Sequence, residues 1–190
     1  MSRWALIALG ILPLAALFAL LVWSQVKSGT AGPGSLSTFS DSGEVTVVRD
    51  EASDFTFELF NGEVTSLSQF SGQVVLLDFW GSWCGPCRTE AATLERVWRS
   101  YHDRDVAFLG VAVFDTDSGS RAFLEEFDVT YPNGPDDKGI IAVEYGLTGV
   151  PEKYFINREG RTVKKFVGPM DEEVLRMNLD NLLADRAPSS

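Results

Sequence analysis

A mixed α/β sandwich, a central sheet with helices on both faces, is the fold this sequence predicts, on three observations. Val74–Trp80, Asp78 apart, and Val106–Phe114 are apolar runs, as in strands buried on both sides. The segments following them carry apolar residues at the 3.6-residue helical period. The chain then closes on two strands joined by a tight turn and a last helix. Strands alternating with helices stack into such a layered sheet.

The 190 residues suit one domain with appendages, and 45% hydrophobic and 12% aromatic content is ample for a core. Two cysteines in this length exclude a disulfide-stapled scaffold, so the pair is chemical rather than architectural. A formal net charge of −11 argues against nucleic acid or an anionic membrane surface as partner.

In chain order, Trp4 to Trp23 is free of charge and nearly all apolar, about the ~20 residues a helix needs to cross a bilayer. Trp4 and Trp23 stand at its ends, where interfacial aromatics are favoured. Arg3 and the amino terminus precede the span, which keeps that end inside. A cleaved signal is the competing reading. The run exceeds the roughly 7–15 apolar residues of a signal peptide, and Gly29-Thr30-Ala31 is a poor cleavage site beyond it. Residues 1–24 are therefore expected to be a retained anchor. Residues 25–50 read as a Gly/Ser-rich, then acidic, flexible tether, with the fold beginning near Val45–Val48. The folded domain spans 51–186, and 187–190 are a tail.

Within the domain, Phe55–Phe60 alternates as a strand, and Asn61-Gly62 signals a tight turn before Val64. Leu67–Phe70 is a helical turn, and Gly72 opens the central strand. A helix follows the cysteines to about Tyr101, and another runs from Ser118 to Phe127. Tyr131–Pro135 reads as an irregular connector and Gly139–Tyr145 as a short helix. Lys153–Ile156 and Arg161–Val167 are strands about the turn Asn157–Gly160. Asp171 to Ala184 is the closing helix, with acidic residues in its first turn.

The chemistry concentrates at Trp83-Cys84-Gly85-Pro86-Cys87, where a buried strand breaks and a helix begins. A thiol there faces unsatisfied N–H groups and the positive end of the helix dipole, which favour its thiolate. A zinc site needs about four ligands, and beyond this pair the chain offers only His102, so no metal is expected. A purely structural bridge over so short a loop would stabilise little. The reading is a catalytic dithiol. Cys84 is the exposed attacking thiolate, and Cys87, one turn in, resolves the mixed disulfide. Trp83 and Pro86 shape the surface where a client docks.

Two carboxylates belong with the pair. Glu90 lies on the helix's inward stripe, three residues after Cys87. A solvated glutamate suiting the helix's positive end is the bland alternative. A carboxyl bordering the core would instead have a raised pKa and could exchange a proton with the Cys87 sulfur. Asp78 interrupts the apolar central strand. It is either a surface-facing strand end or a buried proton shuttle beneath the sulfurs, and the second is preferred.

Asp78-Phe79-Trp80 with Trp83-Cys84-Gly85-Pro86-Cys87 resembles thioredoxin. The anchor, the Asp54-Phe55-Thr56 strand with its Asn-Gly hairpin, and Cys-x-x-Cys-x-x-Glu ending at Glu90 resemble a narrower group. So do the inserted segment Asp115–Tyr145 and Gly149-Val150-Pro151-Glu152. That group is the membrane-anchored thioredoxin-like proteins of cytochrome c maturation, TlpA/ResA/DsbE (CcmG). The likeness covers roughly Ala52 to Ala184. It implies a thioredoxin-like fold with an N-terminal hairpin and a central insertion. It further implies a cis Val150–Pro151 bond against the cysteines, and client backbone pairing beside it by strand addition. Glu152 follows the proline as in the DsbE branch; a functional role and an ordinary strand-edge glutamate both remain open. Gly85-Pro86 and Asp78 depart from many anchored relatives toward thioredoxin itself, leaving client range open.

The expected activity is that of a thiol:disulfide oxidoreductase working as a reductant, without cofactor, on the extracytoplasmic side of a bacterial cytoplasmic membrane. Its client would be the Cys-x-x-Cys-His segment of an apocytochrome c or another disulfide-bearing protein. Its electrons would come from a membrane thiol donor of the DsbD/CcdA type. Alternatives are an oxidant or isomerase on the same fold, and a non-enzymatic anchored binding module. A peroxidase would need Pro and Thr or Ser where Leu77 and Gly81 stand, and is discounted.

Overall fold

The computed structural model describes residues 20, 37–38, 43–45 and 51–185. The chain separates into two units, Met1–Ser35 and Leu36–Ser190, and of the first only Leu20 is described. The expected anchor, apart from that residue, and the tail 187–190 lie outside the described residues. Among the described residues no helix is long and apolar enough to cross a membrane.

The strands are β1 (Ser37–Thr38), β2 (Gly43–Val45), β3 (Thr56–Glu58), β4 (Val64–Ser66) and β5 (Val74–Trp80). They continue with β6 (Val106–Val113), β7 (Asn133–Asp136), β8 (Gly149–Val150), β9 (Glu152–Ile156) and β10 (Thr162–Val167). The helices are α1 (Gly85–Tyr101), α2 (Asp117–Glu126), α3 (Ile140–Glu144) and α4 (Glu172–Ala184). One six-stranded sheet, in the order β2-β10-β9-β5-β6-β7, forms the centre. β5, β6 and β7 run parallel, while β9, β10 and β2 add antiparallel.

Every residue of β5 and β6 is buried, Asp78 included, as their apolar runs require. The period of two splits β5 between two cores. Val75, Leu77 and Phe79 pack with Phe57, Leu59, Phe123 and Ile141, from the β3–β4 hairpin, α2 and α3. Val74 and Leu76 pack with Leu94, Val97, Leu175 and Leu179, from α1 and α4. Asp78 follows in the second alternation, so its carboxyl enters the sheet face that α1 covers. The inward stripe of α1 is Cys87, Glu90, Ala91, Leu94, Val97 and Tyr101, as its period predicts, with Glu95 buried as well. Thr130 and Arg99 bond the Glu95 carboxylate, which makes that burial tolerable. Each helix start uses a side-chain cap where one is available: Thr116 accepts from Gly119 N and Asp171 from Val174 N.

Two stretches differ from the sequence reading. The connector at Tyr131–Pro135 contains β7, an edge strand. Its pairing to β6 is made by the backbone, and Pro135 is tolerated at a sheet edge. Gly134 is required there, since a Cβ would sit 2.5 Å from the Glu58 carbonyl oxygen. The segment read as tether carries β1 and β2, which pair with β8 and β10. Free strand edges recruit backbone whatever its side chains, so a polar Gly/Ser-rich sequence gives no sign of this.

Gly110 of β6 faces the tightest constraint in the sheet. A Cβ there would stand 1.7 Å from Asn133 Oδ1, which accepts the Trp80 indole N–H at 2.8 Å. Gly110→Ala is expected to expel Asn133, unpair a buried indole and destabilise the protein by about 1–3 kcal/mol. Urea unfolding of wild type and variant measures it, and an unchanged midpoint would show that Asn133 has room to move.

Candidate active site

The break after Trp80 arises because Gly81 and Ser82 end the strand and Cys84 caps α1. The Cys84 sulfur accepts the amide of Cys87 at 3.2 Å, and Pro86 occupies the first turn, where its missing N–H costs nothing. Cys84 and Cys87 form a disulfide, with sulfurs 2.09 Å and Cα atoms 5.3 Å apart. In this oxidised state both cysteines are buried, whereas an exposed Cys84 was expected. The bond to Cys87 and the contact with its amide turn the Cys84 sulfur inward over the helix end. Once the disulfide opens, that N–H and the helix terminus favour the thiolate.

Asp78 and Glu90 are both buried, and the structure adds a third charge the sequence reading passed over. Lys153 of β9 stands directly opposite Asp78 across the β5–β9 ladder and has no exposed surface. Its ammonium donates to Glu90 Oε1 and lies 3.4 Å from Asp78 Oδ1. Glu90 Oε2 accepts the amide of Met170 at 2.7 Å. Among the described residues, Asp78 Oδ1 is the buried side-chain oxygen without a hydrogen bond. One cation thus serves two carboxyls. Burial pushes the Glu90 carboxyl up to about 7; the Lys153 charge opposes this and the Asp78 charge adds to it. Burial also raises the Asp78 carboxyl, again against Lys153. Near neutral pH such a set can accept or release one proton, one helical turn from the Cys87 sulfur.

The Val150–Pro151 bond is cis, and β8 leads directly into it. Val150 is fully buried. In this structure that edge carries β1, with Ser37 opposite Gly149 and Thr38 opposite Val150. Glu152 is fully buried. It accepts from Thr148 N at 3.1 Å and Thr148 Oγ1 at 2.6 Å, and pairs with Lys165 at 2.6 Å. Its carboxylate therefore pins the segment that enters the cis proline, a positioning task. Trp83 is half-exposed beside Cys84, its indole N–H donating to the Phe114 carbonyl at 3.1 Å. Neither Lys153 nor Phe114 was singled out from sequence. For Lys153 a signal existed: a lysine inside Tyr-Phe-Ile-type strand sequence, close to the proline, with two core carboxylates lacking a cation.

A Cys-x-x-Cys disulfide capping a helix, buried carboxyls one turn away and a cis proline on a thioredoxin-like α/β fold define a thiol–disulfide oxidoreductase. Residues 48–165 match the AhpC/TSA family model, more than half the chain, and the protein belongs to that family. It is 26% identical over 157 residues to the thiol-disulfide oxidoreductase ResA of Bacillus cereus, covering 83% of this chain and 91% of that one. It is 33% identical over 132 residues to the thioredoxin-like protein YneN of Bacillus subtilis, covering 68% and 77%. Among solved structures it is similar to one from Chlorobium tepidum described as thiol:disulfide interchange protein DsbE. The TM-score is 0.67 at 29% identity, over 78% of this chain and 99% of that one.

Two predictions come from the charged triad. A carboxyl that holds its proton to about pH 7 folded, against 4.5 as reference, adds stability that is present in full below about pH 4.5 and lost as pH rises to about 7. Glu90→Gln should flatten the fall in unfolding free energy across that window; an unaltered slope would mean Glu90 does not titrate there. Asp78→Asn and Lys153→Met should move the Glu90 titration in opposite directions, the first downward and the second upward. Carbon-13 carboxyl NMR reads both shifts. Lys153→Met should also cost about 3–5 kcal/mol at neutral pH, as removal of one partner from a buried ionic set does.

Proposed function

We propose that the protein is an extracytoplasmic reductant that opens a disulfide in a polypeptide client, the Cys-x-x-Cys-His segment of an apocytochrome c before haem attachment. The observation that carries this reading is the pair of buried carboxyls sharing Lys153 beside Cys87. Reduction consumes a dithiol that must lose its protons at the right moment. The Cys84 thiolate attacks one client sulfur and releases the other as thiolate. Cys87 then gives its proton to a carboxylate of the triad and attacks the Cys84 sulfur. The second client thiolate leaves and Cys84–Cys87 is oxidised, the state seen here.

The apolar stretch 4–23 supports tethering to a membrane with the domain outside, where pairing of cysteines is the default and a reductant has work to do. A membrane thiol donor of the DsbD/CcdA type would restore the dithiol. The printed names of the relatives, thiol-disulfide oxidoreductase and thiol:disulfide interchange protein, support the reaction class. A client strand that pairs beside Pro151 must first displace β1 from β8.

The test is capture. In the Cys87→Ala variant the first attack is possible and resolution is not, so Cys84 should retain its client as a mixed disulfide. Proteins bearing Cys-x-x-Cys-His should be among those identified by mass spectrometry; their absence would remove the cytochrome reading. A reduction potential near thioredoxin's, about −270 mV, agrees with a reductant, and one near about −120 mV would make the protein an oxidant.

A further inference from the structure

We propose that Phe114, with Ile140 and Val143, forms a docking ridge that reads an apolar side chain next to the client's cysteine, on a client chain that is basic beyond it. The inference rests on the reading that the client is a polypeptide.

Phe114 combines two costs. It is 63% exposed, and its backbone has φ of +49°. The other described non-glycine residues at positive φ are Asp105 and Asp128, a residue type that tolerates the left-handed region far better than a bulky aromatic. Strain of this kind persists where surrounding contacts impose it, and gathers at functional sites. Here the contacts come from the cysteine loop. The Trp83 indole donates to the Phe114 carbonyl. The Asp115 carboxylate accepts Ser82 N at 2.6 Å and Ser82 Oγ at 2.8 Å. Gly81 and Gly119 have no room for a Cβ, because Trp83 lies over the first and Ser82 and Thr116 over the second. The loop after β6 is thereby fastened to the residues immediately before Cys84.

The apolar surface continues from there. A Cβ on Gly139 would meet the Phe114 ring at 3.5 Å, so α3 starts against it. Ile140 and Val143, three residues apart on one helix face, are 58% and 78% exposed, while Ile141 and Ala142 face the core. Exposed apolar surface fastened through Trp83 to the cysteine loop marks where a partner sits. Beyond Ile140 lies a groove of about 830 Å³ lined by six acidic and two basic side chains, Asp117, Asp137 and Glu144 among the acids. A client able to reach Cys84 along this path places an apolar side chain on the ridge and meets negative charge further on. That complementarity selects a basic chain.

The experiment uses the full-length protein and disulfide-bonded peptides that carry Leu or Ala beside the reacting cysteine and Lys or Glu further along. Wild type should reduce the Leu–Lys peptide with kcat/KM about tenfold above both the Ala–Lys and the Leu–Glu peptides, the charge preference fading at high salt. In Phe114→Gly the Leu-over-Ala ratio should collapse toward one. The same substitution releases the strained backbone, so Tm should rise by about 2–4 °C. A variant that is stabilised yet has lost its side-chain preference is an outcome that a structural role for Phe114 does not produce. Phe114→Asn, which also accepts a left-handed backbone, should repeat both effects. Equal wild-type rates on Leu and Ala peptides, a ratio that survives both substitutions, or a fall in Tm would each overturn the ridge while leaving peptide reduction intact. Failure of wild type to reduce any peptide disulfide would remove the proposed function and the ridge with it.

Discussion

The active end of the molecule depends on a single buried ammonium placed between two carboxyls. Lys153, Asp78 and Glu90 come from β9, β5 and α1, and they meet only if strand register and helix placement are both correct. A slip of one residue in the β5–β9 ladder would turn Lys153 to the other sheet face and leave both acids without a cation. Burial of unpaired charge is costly enough that the register and the chemistry specify each other. The Met170 amide, arriving from the segment before α4, completes the set. The triad therefore also fixes how the last helix approaches α1.

The same triad stands one helical turn from the disulfide at the start of α1. The helix terminus favours a thiolate at Cys84, but the dithiol reaction also needs somewhere for the Cys87 proton to go. An exposed carboxylate would titrate well below neutrality, and an isolated buried one would hold its proton too firmly. Lys153 lies between those limits: it draws both carboxyls down while burial pushes them up, leaving Glu90 near neutrality. Glu152 shows how context divides similar residues. Bonded to Thr148 and paired with Lys165, it holds the approach to the cis proline.

What could be read from the sequence was whatever burial writes into residue type. β5, β6 and α1 are apolar where the core demands it, and Asp78 and Glu90 stand out as acids at core positions. Lys153 carries no such mark, because a lysine at the start of a short strand looks like a polar edge. Only the register, which no single strand encodes, places it opposite Asp78. β7 was hidden because Asn-Gly-Pro-Asp is turn chemistry, and its strand character comes from backbone pairing to β6 and from the space Gly134 leaves. β1 and β2 were hidden for a related reason, being strands supplied with an edge rather than strands formed by their own side chains.

Those two added strands alter how the site must be entered. β1 occupies the backbone beside Val150–Pro151, where strand addition by a client is expected, so that edge is already filled by the protein's own chain. From Trp83 through Phe114 to α3 the protein presents open apolar surface instead. On the proposed reading, a client approaching the reduced protein meets the ridge before it meets a free strand edge. First contact is therefore made by side chains, and backbone pairing follows only as β1 gives way. Specificity in such a sequence of events is set by the ridge, because β8 offers every chain the same peptide groups.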